Sequence, residues 1–105
     1  MECRFTAHVS LGQGFNFDLK GEVFDYVEKG KVKSGIRIDP IEVDADHKED
    51  FKILLGNINV KIMQQVELYK VNPEQSVFGT PYRQKEFKVS VVPDEKLGAL
   101  ITLSK

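Results

Sequence analysis

Residues 46–62 read Asp-His-Lys-Glu-Asp-Phe-Lys-Ile-Leu-Leu-Gly-Asn-Ile-Asn-Val-Lys-Ile, and two periodicities compete in them. The first is helical: Phe51, Leu54, Leu55 and Ile58 follow an Asp46/Glu49 capping-box pattern, with Gly56 as a stop. The second belongs to a strand. Phe51, Ile53 and Leu55 alternate, and after Gly56-Asn57 so do Ile58, Val60 and Ile62. Because Ile58, Val60 and Ile62 return to a period of two before the phase slips again at Met63-Gln64-Gln65, 46–55 is read as either strand or a helix of one or two turns, followed by strand.

Outward from this segment the same period of two prevails. Cys3, Phe5, Ala7, Val9 and Leu11 interleave with Glu2, Arg4, Thr6, His8 and Ser10, the pattern of a half-buried strand. Gly12-Gln13-Gly14 forms a turn, and Phe15, Phe17 and Leu19 complete a hairpin. From Gly21 the phase slips, with Val23 and Phe24 adjacent and Tyr26 and Val27 following, which predicts a bulge or strong bend. Glu28-Lys29-Gly30-Lys31 is a turn; Val32, Ile36 and Ile38 form a strand ended by Asp39-Pro40. Val66, Leu68, Tyr69 and Val71 continue the β character, and Asn72-Pro73-Glu74-Gln75-Ser76 is a loop. Val77 to Lys85 reads as an irregular edge strand, Phe87, Val89 and Val91 as a clear one, and Leu97, Ala99, Ile101 and Leu103 as the last. The expectation is an all-β single domain spanning 1–105, a small barrel or sandwich of seven to eight mainly antiparallel strands.

Composition narrows the function. The 105 residues are 41% hydrophobic and 30% charged, with 15 Lys and Arg against 16 Asp and Glu for a net charge of -1. That balance argues against disorder and against a strong non-specific binder of nucleic acid or anionic membrane. No run approaches the roughly 18 apolar residues of a membrane span, and the first residues lack the pattern of a secretory signal, so a cytoplasmic location is expected. The single cysteine, Cys3, falls on the apolar face of its strand, where it reads as a buried, inert thiol.

At Val27 to Ile38 the string Val-Glu-Lys-Gly-Lys-Val-Lys-Ser-Gly-Ile-Arg-Ile resembles the hairpin in the second, β-barrel domain of translational GTPases of the elongation factor Tu type. Gly30 and Gly35 stand five apart, as the two glycines of that hairpin do. The resemblance implies a barrel scaffold that docks RNA and protein surfaces. The GTP-binding domain of that family is outside the matched stretch, and no nucleotide hydrolysis carries over.

No nucleophile, base and metal-ligand types gather into a catalytic motif, so the chain is read as no enzyme and as needing no cofactor. Asp44-x-Asp46-His47 with Glu49 and Asp50 lacks the central Gly of a calcium loop and carries Lys48 where a ligand belongs; it reads as a solvated acidic connection, not a metal site. His8 and His47 are both expected at the surface. Asp18, Glu22 and Asp25 read as an outer charged face. The candidate binding residues are basic: Lys29, Lys31, Lys33 and Arg37 on one hairpin, and Tyr82, Arg83 and Lys85 in a second cluster with Lys88. Alternate strand residues share a face, so Lys29, Lys31 and Lys33 would form a stripe, with Phe24, Tyr26 and Tyr82 as stacking surfaces. The leading expectation is a module docking RNA or a ribonucleoprotein. The alternative is a protein–protein adaptor or assembly subunit, self-association included, using strand edges or the acidic loop.

Overall fold

The computed structural model describes residues 2–12, 15–79 and 86–104, and among them are five strands and one long helix. In order they are β1 (Cys3–Ser10), β2 (Asn16–Glu28), β3 (Lys31–Ile38), α1 (Lys48–Val71), β4 (Glu86–Asp94) and β5 (Gly98–Ser104). Short 3-10 turns at Ala45–His47 and Pro73–Gln75 flank the helix. The sheet order is β3-β2-β1-β4-β5, and the sheet curls into a half-barrel.

The N-terminal half follows its alternation. Cys3, Phe5, Ala7 and Val9 of β1 are buried, and β2 returns antiparallel beside it, Ser10 opposite Asn16 through Cys3 opposite Val23. β2 then continues without interruption to pair with β3, from Gly21 opposite Ile38 to Glu28 opposite Lys31. The bulge expected after Gly21 is therefore not formed. The phase slip has another cause: Phe24 and Tyr26 occupy the outer face, where Phe24 lies over Gly35, its partner on β3. The turn at Lys29-Gly30 is a two-residue hairpin loop with both φ angles positive, +52° and +77°, the geometry whose twist matches the flanking strands.

The all-β expectation is overturned between residues 48 and 71. The strands expected at Ile58–Ile62 and Val66–Val71 are parts of one 24-residue helix, and the described residues form a sheet of five strands rather than seven or eight. Leu54, Ile58, Ile62 and Val66 are buried at successive intervals of four. Four residues is one helical turn and also an even number, so the spacing satisfies both periods. Ile53 and Val60 completed the strand-like alternation, yet they are 62% and 55% exposed on the outer side of α1. Gly56 does not stop the helix. Its cost there is about 1 kcal/mol, small beside the roughly 1.5–3 kcal/mol for each aliphatic side chain that the helix buries. The capping box is not formed either: no side chain caps α1, which is entered through the turn at Ala45–His47. Glu49 and Asp50 nevertheless sit in the first turn, where the helix dipole favours carboxylates.

Topology explains why a helix is needed here. β3 and β4 run in the same direction, since β2 is antiparallel to both its neighbours and β4 is parallel to β1. Strands so related cannot be joined by a tight hairpin, and α1 is the crossover. Its buried stripe closes one core with the inner face of the sheet, where the Phe5 and Phe87 rings stack at 5.2 Å and Phe78 meets Phe87 edge-on at 5.2 Å.

The segment after α1 is held by buried polar contacts rather than by the expected edge strand. Asn72 precedes Pro73, which ends the helix. Ser76, 1% exposed, donates its hydroxyl to the Gln65 carbonyl at 2.9 Å and accepts from the Phe78 N–H at 3.2 Å. The Val77 N–H donates to Gln65 Oε1 at 3.0 Å, so this bend is pinned to the helix and seats Phe78 in the core. The rest of the expected strand, 80–85, lies outside the described residues.

Two glycine substitutions test this packing in opposite directions. A Cβ on Gly21 would stand 2.5 Å from the Arg37 carbonyl oxygen and 2.7 Å from the Phe5 ring, so Gly21→Ala is expected to lose about 1–3 kcal/mol. Gly56 has open space around it, and Gly56→Ala is expected to gain about 0.5–1 kcal/mol. Urea denaturation of both variants measures the two signs; a stabilised Gly21→Ala would contradict the close approach of Phe5.

Candidate binding surfaces

The basic hairpin predicted from sequence forms, and its cations share the outer face with carboxylates. Lys31, Lys33 and Arg37 of β3 project from the outer face, where their partners on β2 are Glu28, Tyr26 and Glu22; Lys29 sits in the turn. Arg37 donates to Glu22 Oε1 at 2.7 Å and its guanidinium lies 4.6 Å above the Phe24 ring. Lys33 is 3.7 Å from Glu28. Arg4 of β1 extends the row, 2.9 Å from Asp39 and 4.0 Å from Glu22. On the outer face Lys31, Lys33 and Arg37, with Lys29 in the turn and Arg4 beside them, meet three carboxylates, Glu22, Glu28 and Asp39, whereas Asp25 lies opposite Ser34 on the inner side. Exposed pairs of this kind contribute about 0–1 kcal/mol each, and they reduce the field that would draw a polyanion. Phe24 and Tyr26 do lie beside the basic residues, their rings 6.0 Å apart. The second cluster is not brought into view: Tyr82, Arg83 and Lys85 lie outside the described residues.

The tip of this hairpin also exposes apolar surface. Val27 and Val32 are cross-strand partners on the inner side of the sheet and are 71% and 66% exposed. Inner-face burial ends at Val23 on β2.

Two other polar clusters lie elsewhere in the fold. Asp18, His8 and Ser90 align across β2, β1 and β4 on the outer face, residue types that in a cleft would suggest nucleophile activation. His8 Nδ1 is 2.8 Å from Asp18 Oδ1, yet among the described residues no hydrogen bond joins Ser90 to His8, and both His8 and Asp18 are solvent-exposed. In the acidic connection, Asp44 is exposed and 3.9 Å from His47 Nδ1. His47 is not the surface residue expected: it is half-buried, its ring 5.5 Å from that of Phe15. Among the described residues no three His, Cys, Asp or Glu side chains converge on one point.

The surface that sequence reasoning missed is the edge strand β5. Gly98–Ser104 reads Gly-Ala-Leu-Ile-Thr-Leu-Ser and contains no charge and no proline. Ala99, Ile101 and Leu103 are half-buried against the core, while Leu100 is 44% exposed beside Val92 on the outer face and Leu97, just before the strand, is 74% exposed. Leu97 and Ala99 line an open groove with Ile53 and Leu54 of α1, Phe15 and His47. Unpaired backbone groups along such an edge invite another strand unless charge or proline guards them. The lack of Lys, Glu and Pro in 97–104 was a visible signal. Its meaning required knowing that β5 is an edge.

No helix among the described residues is long and apolar enough to cross a membrane. Comparison of the chain with protein-family models, with curated proteins and with solved structures returns no match.

Cys3 is buried in the core as its strand position predicted. Burial, with the Glu86 carboxylate as a lesser influence, pushes its thiol from 9.0 up to about 11. The native thiol is expected to resist a disulfide reagent at pH 8 and to react once the protein is unfolded; full labelling of native protein would contradict its burial. The raised value also sets a sign. The unfolded chain loses the proton first, so the contribution of Cys3 to stability is intact below pH 9 and declines toward pH 11.

Proposed function

We propose that this chain is a non-enzymatic protein-interaction module that takes up an extended segment of a partner along β5. The observation that carries the reading is the contrast between the two sheet edges. β3 presents Lys31, Lys33 and Arg37, whereas β5 presents seven uncharged residues with Leu97, Leu100 and Val92 exposed around them. Strand addition draws affinity from main-chain hydrogen bonds and specificity from alternate side chains, and both are available on this edge. Pairing of Arg37 with Glu22 and of Lys33 with Glu28 lowers the positive field of the β2–β3 hairpin, which supports a protein partner over RNA.

Leu100 and Thr102 point outward from β5 and belong to no buried contact, so the Leu100→Lys/Thr102→Lys variant alters the edge without touching the core. Partners crosslinked to the wild type in cells are expected to be lost from this variant and to survive moderate salt. The Lys31→Glu/Lys33→Glu variant is expected to retain them. Salt-dependent RNA binding that Lys31→Glu/Lys33→Glu abolishes, with capture indifferent to the β5 changes, would overturn the reading in favour of nucleic acid.

A further inference from the structure

We infer that the strand taken up at β5 is β5 of a second copy, so that two five-stranded sheets join across a two-fold axis into one sheet of ten. This inference rests on the reading of β5 as a docking edge and goes further by naming its occupant.

Symmetry and charge lead to this partner. In an antiparallel pair about a two-fold axis normal to the sheet, facing residues share a face, so the axis must pass through a residue position. For β5, the register that pairs all seven residues places Ile101 on the axis. Ala99 then faces Leu103 of the other copy on the inner side, and Leu100 faces Thr102 on the outer side. No charged residue meets another anywhere along the strand. The pair adds apolar contact on the inner face, where Ile101 and Leu103 stand half-buried at the margin of the core, and covers the exposed Leu100 with Thr102 on the outer one.

The opposite edge behaves differently under the same operation. With the axis at Ser34, Lys31 of one copy faces Arg37 of the other; with the axis at Gly35, Lys33 faces Arg37. Directly opposed like charges destabilise a strand pair, so self-pairing is disfavoured at β3 and unopposed at β5. One permissive edge per molecule gives a closed dimer. Two would have given an open-ended filament.

The register dictates the test. Leu100→Lys/Thr102→Lys sets lysine against lysine at two symmetry-related places in the dimer, whereas Leu100→Lys/Thr102→Glu sets lysine against glutamate at both. Sedimentation equilibrium of purified protein, with circular dichroism as a check on folding, is expected to give a dimer for the wild type, a monomer for the first variant and a dimer for the second. The second variant carries the same number of outward substitutions, so its recovery excludes misfolding as the reason for the first one's loss. A wild type that is monomeric at all concentrations overturns the inference, as does a dimer that survives Leu100→Lys/Thr102→Lys. Loss of the dimer in both variants overturns the register about Ile101. If the wild type is monomeric while capture of a different protein still depends on Leu100 and Thr102, the docking edge stands and its occupant is another chain; if capture is indifferent to them, both fail.

Discussion

Burial of the α1 stripe in the hollow of the sheet is the contact on which the other features depend. Leu54, Ile58, Ile62 and Val66 meet the inner face built from Phe5, Val23, Phe87, Val89 and Val91. Neither partner is stable alone: the sheet would expose a face of large apolar side chains, and the helix has no side-chain cap, a central glycine and several β-branched residues. Their union supplies the driving force that local propensity withholds. It also explains the Ser76 contacts with Gln65, which hold the chain to the helix where it leaves α1 and thereby position Phe78 against Phe87.

The limits of that contact define the exposed surfaces. β2 is long enough to pair with β1 at one end and with β3 at the other, and it outruns the core. Past Val23 the inner positions Asp25 and Val27 are exposed, and the aromatic side chains Phe24 and Tyr26 stand on the outer side instead. Phe24 shields Gly35 and receives Arg37, so the outer face of the arm has its own small packing unit. Glu22 pairs with Arg37 and Glu28 with Lys33 on this face.

The two edges of the sheet are unlike for the same topological reason. β3 lies at one end of the order and β5 at the other, with β1 and its parallel neighbour β4 in the middle. Charge protects β3, whereas β5 carries only apolar and small polar residues. A central strand of β5's composition would be unremarkable, because both sides of its backbone would be paired. Placed at the edge of the described sheet, the same residues leave Leu100 exposed beside Val92.

Much of the β structure was legible in the residues themselves. The β1 alternation, the Lys29-Gly30 turn, the stop at Asp39-Pro40, the strand through Phe87, Val89 and Val91, and the burial of Cys3 all follow from side-chain period and turn chemistry, which act within a few residues of chain. Three matters were decided only by the tertiary structure. Residues 48–71 became a helix because intervals of four fit both periods, and only the hollow of the sheet selects the face on which Ile58 and Ile62 are buried while Val60 is not. Phe24 is on the outer face because Val23 takes the inner one, and Gly35 on β3, eleven positions further along the chain, leaves room for its ring. The standing of β5 as an edge came from strand order, which depends on contacts between residues far apart in sequence and leaves no mark in the local period.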